Sequence, residues 1–247
     1  MAAVHDRYLG YQPTSRRPMR EVYHSSQCAV LFSKWLSQPI GEEDKDAIWA
    51  TAVTLANLTF SSINVSSFAQ AWPLKPSDSS DLQWLRLKAN DKALWHLADP
   101  TRPSSVFRAV SDTFSDFHQP LPTRGMGDVP IELAQLCGLD NLSTPKNNPY
   151  FGFVHALSKL LEMPKGEASL GRIFWAVSVI PNVLCTRLEE KDPVALLLLY
   201  LWYTKARECR WWVDLRARYE IPAIRTYLQR HYSDIGTIQA LLVKEFR

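Results

Sequence analysis

At 247 residues, 46% hydrophobic and 11% aromatic with 9 glycines, the chain has the length and apolar content for a large core. That excludes a disordered polypeptide and argues against a turn-rich all-β design. The formal net charge is only +3, with basic residues scattered among acidic ones, so no basic stripe meets a phosphate backbone and direct nucleic-acid contact is not expected.

In chain order, Val22, Ala29, Phe32, Trp35 and Leu36 predict an amphipathic helix over 20–38 that Pro39 and Gly41 end. Glu42, Glu43, Asp44 and Asp46 then supply a negative first turn for a second helix through Ile48, Trp49, Ala52, Leu55 and Ala56, ending near Phe60. Residues 61–80, rich in serine and carrying Pro73 and Pro76, predict a loop. A third helix starts near Asp81, runs through Leu82, Trp84, Leu85, Leu94, Trp95 and Leu97, and is closed by Pro100 and Pro103. Ser104 is placed to cap a further helix with the stripe Phe107, Val110, Phe114 and Phe117, stopped by Pro120 and Pro122.

Pro130 and Gly138 bracket a short helix over 131–137, and a loop over 141–149 precedes a helix over 150–162. Leu170 to Leu184 is apolar on most faces and carries Pro181, which must bend or end it. Asp192 followed by Pro193 signals a helix start, and Val194 to Tyr203 offers no wet face until Lys205. That run is shorter than the roughly 20 residues a bilayer demands, so no transmembrane segment is expected. Trp211 and Trp212 open a segment with Leu215, Tyr219, Ile224, Tyr227 and Leu228, interrupted by Pro222, and Ser233 is placed to cap a last helix through Leu242. Together these elements predict an all-α fold, a single domain over 1–247 arranged as an orthogonal bundle of about nine helices with a hydrophobic C-terminal half. No repeat period is evident, which disfavours a solenoid.

Cys28, Cys137, Cys185 and Cys209 lie too far apart for a zinc site or a redox dithiol and read as buried free thiols. The opening residues, with His5, Asp6 and Arg7, lack the apolar core of a signal peptide, which points to a reducing compartment, cytoplasmic or nuclear. His5, His24, His96, His118, His155 and His231 have no second histidine or carboxylate at metal-ligand spacing, so no metal is expected. No nucleophile elbow or Gly-rich phosphate loop is present, and no cofactor is implied. Glu189 and Glu190 are adjacent, point apart and read as a solvated helix end. Trp211 and Trp212 either wall a ligand cavity or plug the core.

Three groups of segments carry a family resemblance. They are AVHDRYL at Ala3–Leu9 with Tyr23–Phe32; DAIWATAVTLANLTFSSI from Asp46 with AWPLKPSDSSDLQWLRL from Ala71; and DPVALLLLYLWY from Asp192 with the pair Trp211 and Trp212. In this order they resemble the C-terminal regulatory domain of fungal zinc-cluster transcription factors, in the group related to the sterol uptake control protein. The resemblance spans nearly the whole chain. It implies an all-helical ligand-binding domain with a hydrophobic pocket in its C-terminal half, sensing sterol in the best-known relatives and thereby controlling partner contacts. Full-length members open with a six-cysteine zinc cluster and a coiled-coil linker. These residues contain neither, so the chain is expected to be an excised domain or a stand-alone protein that kept the sensor fold.

The leading expectation is a regulatory domain that binds a sterol-like or other lipophilic small molecule. Phe174, Val177, Leu198, Trp202, Trp211 and Trp212 are the candidate apolar walls, and Tyr203 or Tyr227 the hydrogen-bonding group for a ligand hydroxyl. The rival is a stand-alone enzyme of fungal small-molecule biosynthesis, a cyclase or isomerase acting in an apolar cavity, with His155, His96, Tyr203 or Asp214 as acid or base candidates. A third reading is a platform with a filled core, whose partner is a second copy or a co-regulator protein.

Overall fold

The computed structural model describes residues 2–11, 17–78, 80–88, 91–111, 119–164 and 170–244. The described residues form twelve α-helices and no strand: α1 (Ala2–Tyr8), α2 (Met19–Leu36), α3 (Lys45–Ser61), α4 (Gln83–Lys88), α5 (Asp91–Ala98), α6 (Ile131–Leu136), α7 (Phe151–Leu161), α8 (Leu170–Ser178), α9 (Asn182–Glu189), α10 (Pro193–Ala206), α11 (Trp211–His231) and α12 (Gly236–Val243). Short 3-10 turns occupy Glu42–Asp44, Phe68–Gln70 and Val106–Val110.

The expected count of about nine is therefore too low, for local reasons. The opening residues, read only as polar, form α1, whose Val4 and Arg7 are buried. The single helix expected from Asp81 is two, α4 and α5. Pro181 ends the apolar run instead of bending it: α8 stops at Ser178, and Pro181, with φ −77° and ψ 159°, starts α9. The helix expected after Ser104 is, among the described residues, the 3-10 turn Val106–Val110, capped by Ser105, whose hydroxyl oxygen accepts from the Phe107 amide at 3.1 Å. Phe114, Phe117 and His118 lie outside the described residues.

α10 occupies the centre. Its side chains from Ala195 to Tyr203 are all buried, and α7, α9, α11 and α12 pack around it. Leu196, Leu197, Leu198 and Leu199 are wholly inaccessible, each worth about 2 kcal/mol of apolar burial. The helix begins where the sequence places it: the Asp192 carboxylate accepts from the Ala195 amide at 2.9 Å, with Pro193 in the first turn. The same carboxylate accepts from the Tyr150 hydroxyl at 2.9 Å and from Arg187 at 3.2 Å, joining α7, α9 and α10. Asp192→Ala removes the cap and leaves Tyr150 without its acceptor; the expected loss is about 2 kcal/mol in urea denaturation.

α11 runs unbroken from Trp211 to His231 through Pro222. Pro222 lacks the amide that would bond the Arg218 carbonyl, yet Ala223 and Ile224 beside it are fully buried, and their packing holds the helix across that point. α11 in turn packs on α1, α3 and the 68–70 turn. Among the described residues no helix is long and apolar enough to cross a membrane.

Candidate functional site

Five helices send aromatic side chains to one place. Phe60, at the C-terminal end of α3, meets Trp84 of α4 edge-on at 4.8 Å and Trp212 of α11 edge-on at 5.4 Å. Trp84 stacks on Trp202 of α10 at 5.6 Å and 20°. Trp212 stacks on Phe174 of α8 at 5.4 Å and 6°. Tyr203 lies 6.2 Å from Phe60 and 6.1 Å from Trp84. The result is a continuous aromatic slab, in which such pairs contribute about 1 kcal/mol each beyond their burial. The Trp202 indole donates to the Ile173 carbonyl at 3.0 Å. The Trp84 indole nitrogen is buried with no hydrogen-bond partner among the described residues.

The polar end of the slab is a buried ion pair. Glu220 and Arg216, one turn apart on α11, are 2% and 5% exposed. Glu220 Oε1 accepts from Arg216 Nη1 at 2.6 Å, and Oε2 accepts from the Tyr203 hydroxyl at 2.7 Å. Arg216 Nε donates to the Phe60 carbonyl at 2.6 Å, and the guanidinium lies over the Phe60 ring at 5.4 Å. Burial pushes the Glu220 carboxyl above its usual value, opposed by the Arg216 charge. Burial, reinforced by the Glu220 charge, pushes the Tyr203 hydroxyl well up, which keeps it a donor.

Of the residues expected to wall a pocket, Phe174, Trp202, Tyr203 and Trp212 belong to this slab, and Val177 and Leu198 are buried in the same core. Trp211 faces elsewhere, half-buried against His5 and Tyr8 of α1 with ring centres 5.2 Å away in each case. Tyr227 lies against His231 at 4.5 Å and beneath the Lys191 ammonium. Phe60, Trp84, Arg216 and Glu220 were not singled out by sequence. The Arg216/Glu220 spacing of four was visible, but that spacing equally marks a solvated ion pair.

The acid and base candidates each have their own surroundings. Asp214 is paired with Arg207 and Arg218, and His96 is exposed on α5. His155 Nε2 lies 3.1 Å from the Gly125 carbonyl, with the ring 4.4 Å from Phe151. Burial depresses its pKa, which the Gly125 hydrogen bond opposes. The unfolded chain therefore takes up this proton more readily than the native one, and stability fully present above about pH 6.5 is lost as pH falls from there through the depressed native value. In urea titrations at pH 5 and pH 7, His155→Gln is expected to reduce this fall.

Of the cysteines, all free, Cys137 is buried as expected, while Cys28, Cys185 and Cys209 are only partly so. Burial, then the Asp192 charge, raises the Cys137 thiol to about 12, so it is an inert core group. Among the described residues no cluster of histidine, cysteine and carboxylates is arranged to hold a metal.

Among the clefts that border the described residues, three lie near charged side chains. One of about 260 Å³ lies beside Tyr200, Lys205 and Arg225. A second, of about 240 Å³, lies beside Asp78, Arg86 and Glu189. The third, of about 160 Å³, has Arg216 and Glu220 in its lining and so reaches the polar end of the slab. Compared with protein-family models, curated proteins and solved structures, the chain matches none.

Proposed function

We propose that the chain is a ligand-sensing regulatory domain, an orthogonal bundle with a hydrophobic C-terminal half, that takes up a sterol-like or other lipophilic small molecule between α8, α10 and α11. It works in the cytoplasm or nucleus, and its output is contact with a co-regulator protein or a second copy. The observation that carries this reading is the Trp84 indole N–H, which among the described residues has no acceptor inside a slab of aromatic rings. A buried unsatisfied donor costs about 1–3 kcal/mol. A guest with an apolar body and a single oxygen would line the rings and satisfy that donor.

The clefts described above, of about 160–260 Å³, are smaller than the roughly 300–1,000 Å³ of most small-molecule sites, and none of them is the proposed lipophilic site. On this reading the stacked rings are the arrangement without a guest, and a guest enters by parting the Phe174–Trp212 and Trp84–Trp202 stacks. Binding then favours the open arrangement by its differential affinity for the two.

The test is purified protein titrated with ergosterol carried by cyclodextrin, followed by tryptophan emission and native mass spectrometry. A bound sterol with an emission change is the expected result, and Trp84→Phe lowers the affinity about tenfold, the value of one hydrogen bond. A protein that retains no lipophilic compound and shows no emission change would overturn the proposal.

A further inference from the structure

The connection between α3 and α4 shapes one wall of the 160 Å³ cleft, which Gln70, Trp72, Lys75 and Asp81 line together with Arg216 and Glu220 of α11. Its two carboxylates are occupied. Glu220 receives Arg216 and Tyr203, while Asp81 receives the Lys75 ammonium at 2.6 Å and the Asp78 amide at 2.7 Å. Its donors are in surplus. Arg216 spends Nε on the Phe60 carbonyl and Nη1 on Glu220 and the Asp81 carbonyl, and among the described residues Nη2 has no hydrogen-bond partner. Gln70 spends its oxygen on the Ser66 amide at 3.1 Å and hydroxyl at 2.9 Å, which leaves its amide nitrogen to donate. Lys75 is one-third exposed and has protons beyond the one it turns to Asp81.

We propose that this cleft is a binding site for a small monocarboxylate. Uncommitted N–H groups around a cavity select an oxygen-rich acceptor, and a guanidinium with an ammonium selects an anionic one. Asp81 and Glu220 stand beside these cations, so the free N–H groups of Arg216 and Lys75 reach one carboxylate head group, while a dianion meets about twice the repulsion from the two carboxylates. A singly charged head group is favoured over phosphate for that reason. The volume is that of about five water molecules, and the Trp72 and Ile63 sides give a short chain an apolar wall. This cleft shares Arg216 and Glu220 with the polar end of the aromatic slab, while its rim residues Lys75 and Gln70 lie outside the slab, so variants at the rim test it independently of the lipophilic reading.

Calorimetry with butyrate, butyramide and inorganic phosphate tests it on the whole chain. Butyrate is expected to bind one to one with a Kd of about 1 mM, and butyramide, of the same shape without the charge, at least about tenfold more weakly. Because Arg216 also supports the fold, the rim variants Lys75→Gln and Gln70→Ala are used. Each is expected to weaken butyrate several-fold, with an unchanged melting temperature for Gln70→Ala. Equal affinity for butyrate and butyramide, tighter binding of phosphate, or butyrate binding unaffected by both rim variants would each overturn the assignment.

Discussion

Arg216→Met is expected to cost about 3–5 kcal/mol at pH 7, a fall of about 10 °C in melting temperature for a chain of this size. The substitution leaves the Glu220 carboxylate buried without its counter-charge and the Phe60 carbonyl without its donor. Glu220 supplies the pH signature. Its pKa is already raised by burial, against the pull of Arg216, and losing Arg216 raises it further. A carboxyl whose folded pKa lies above its unfolded value contributes stability that is fully present below the unfolded value and lost as pH rises through the folded one. The variant should therefore be closest to the parent near pH 4 and diverge steadily toward pH 8 in urea titrations. Adding Glu220→Gln removes the orphaned charge and should recover more than half of the loss at pH 7. A single variant within about 1 kcal/mol of the parent at every pH would show that the pair does not organise this part of the core.

What the sequence made visible was whatever short-range chemistry decides. Asp192 and Pro193 start α10 because a side-chain acceptor and a preset φ act within one turn, and the apolar run behind them can only be buried. Pro181 was read as bending or ending its run, and the structure takes the second. Pro222 was misjudged for the opposite reason: the penalty of a missing amide is local, but the burial that outweighs it, Ala223 against Ile63, Val65 and Ala71 and Ile224 in the main core, depends on residues distant in sequence. The site divides along the same line. Trp211 and Trp212 looked equivalent, yet successive helical positions are about 100° apart, so Trp212 enters the slab while Trp211 turns to α1. Phe60 and Trp84 come from helices far from α10 in sequence, and only tertiary packing makes them neighbours of Trp202 and Tyr203.

Phe60→Ala is expected to be about as costly, some 3–5 kcal/mol, because the ring is fully buried and sits edge-on to two tryptophans with a guanidinium over its face. The substitution also separates two accounts of the slab. If the rings are only a packed core, the variant is destabilised, and ergosterol raises its melting temperature no more than it raises the parent's. If the rings part to admit a guest, Phe60→Ala has already removed the central ring, so part of the cost of opening is met before binding. The guest should then bind the variant more tightly than the parent, and its thermal shift should be the larger of the two. Phe60→Leu fills most of the space and should fall between the parent and the alanine variant in both stability and affinity. An alanine variant that folds, melts lower and gains no affinity would mean that the slab stays shut, and the lipophilic reading would fail at its central step.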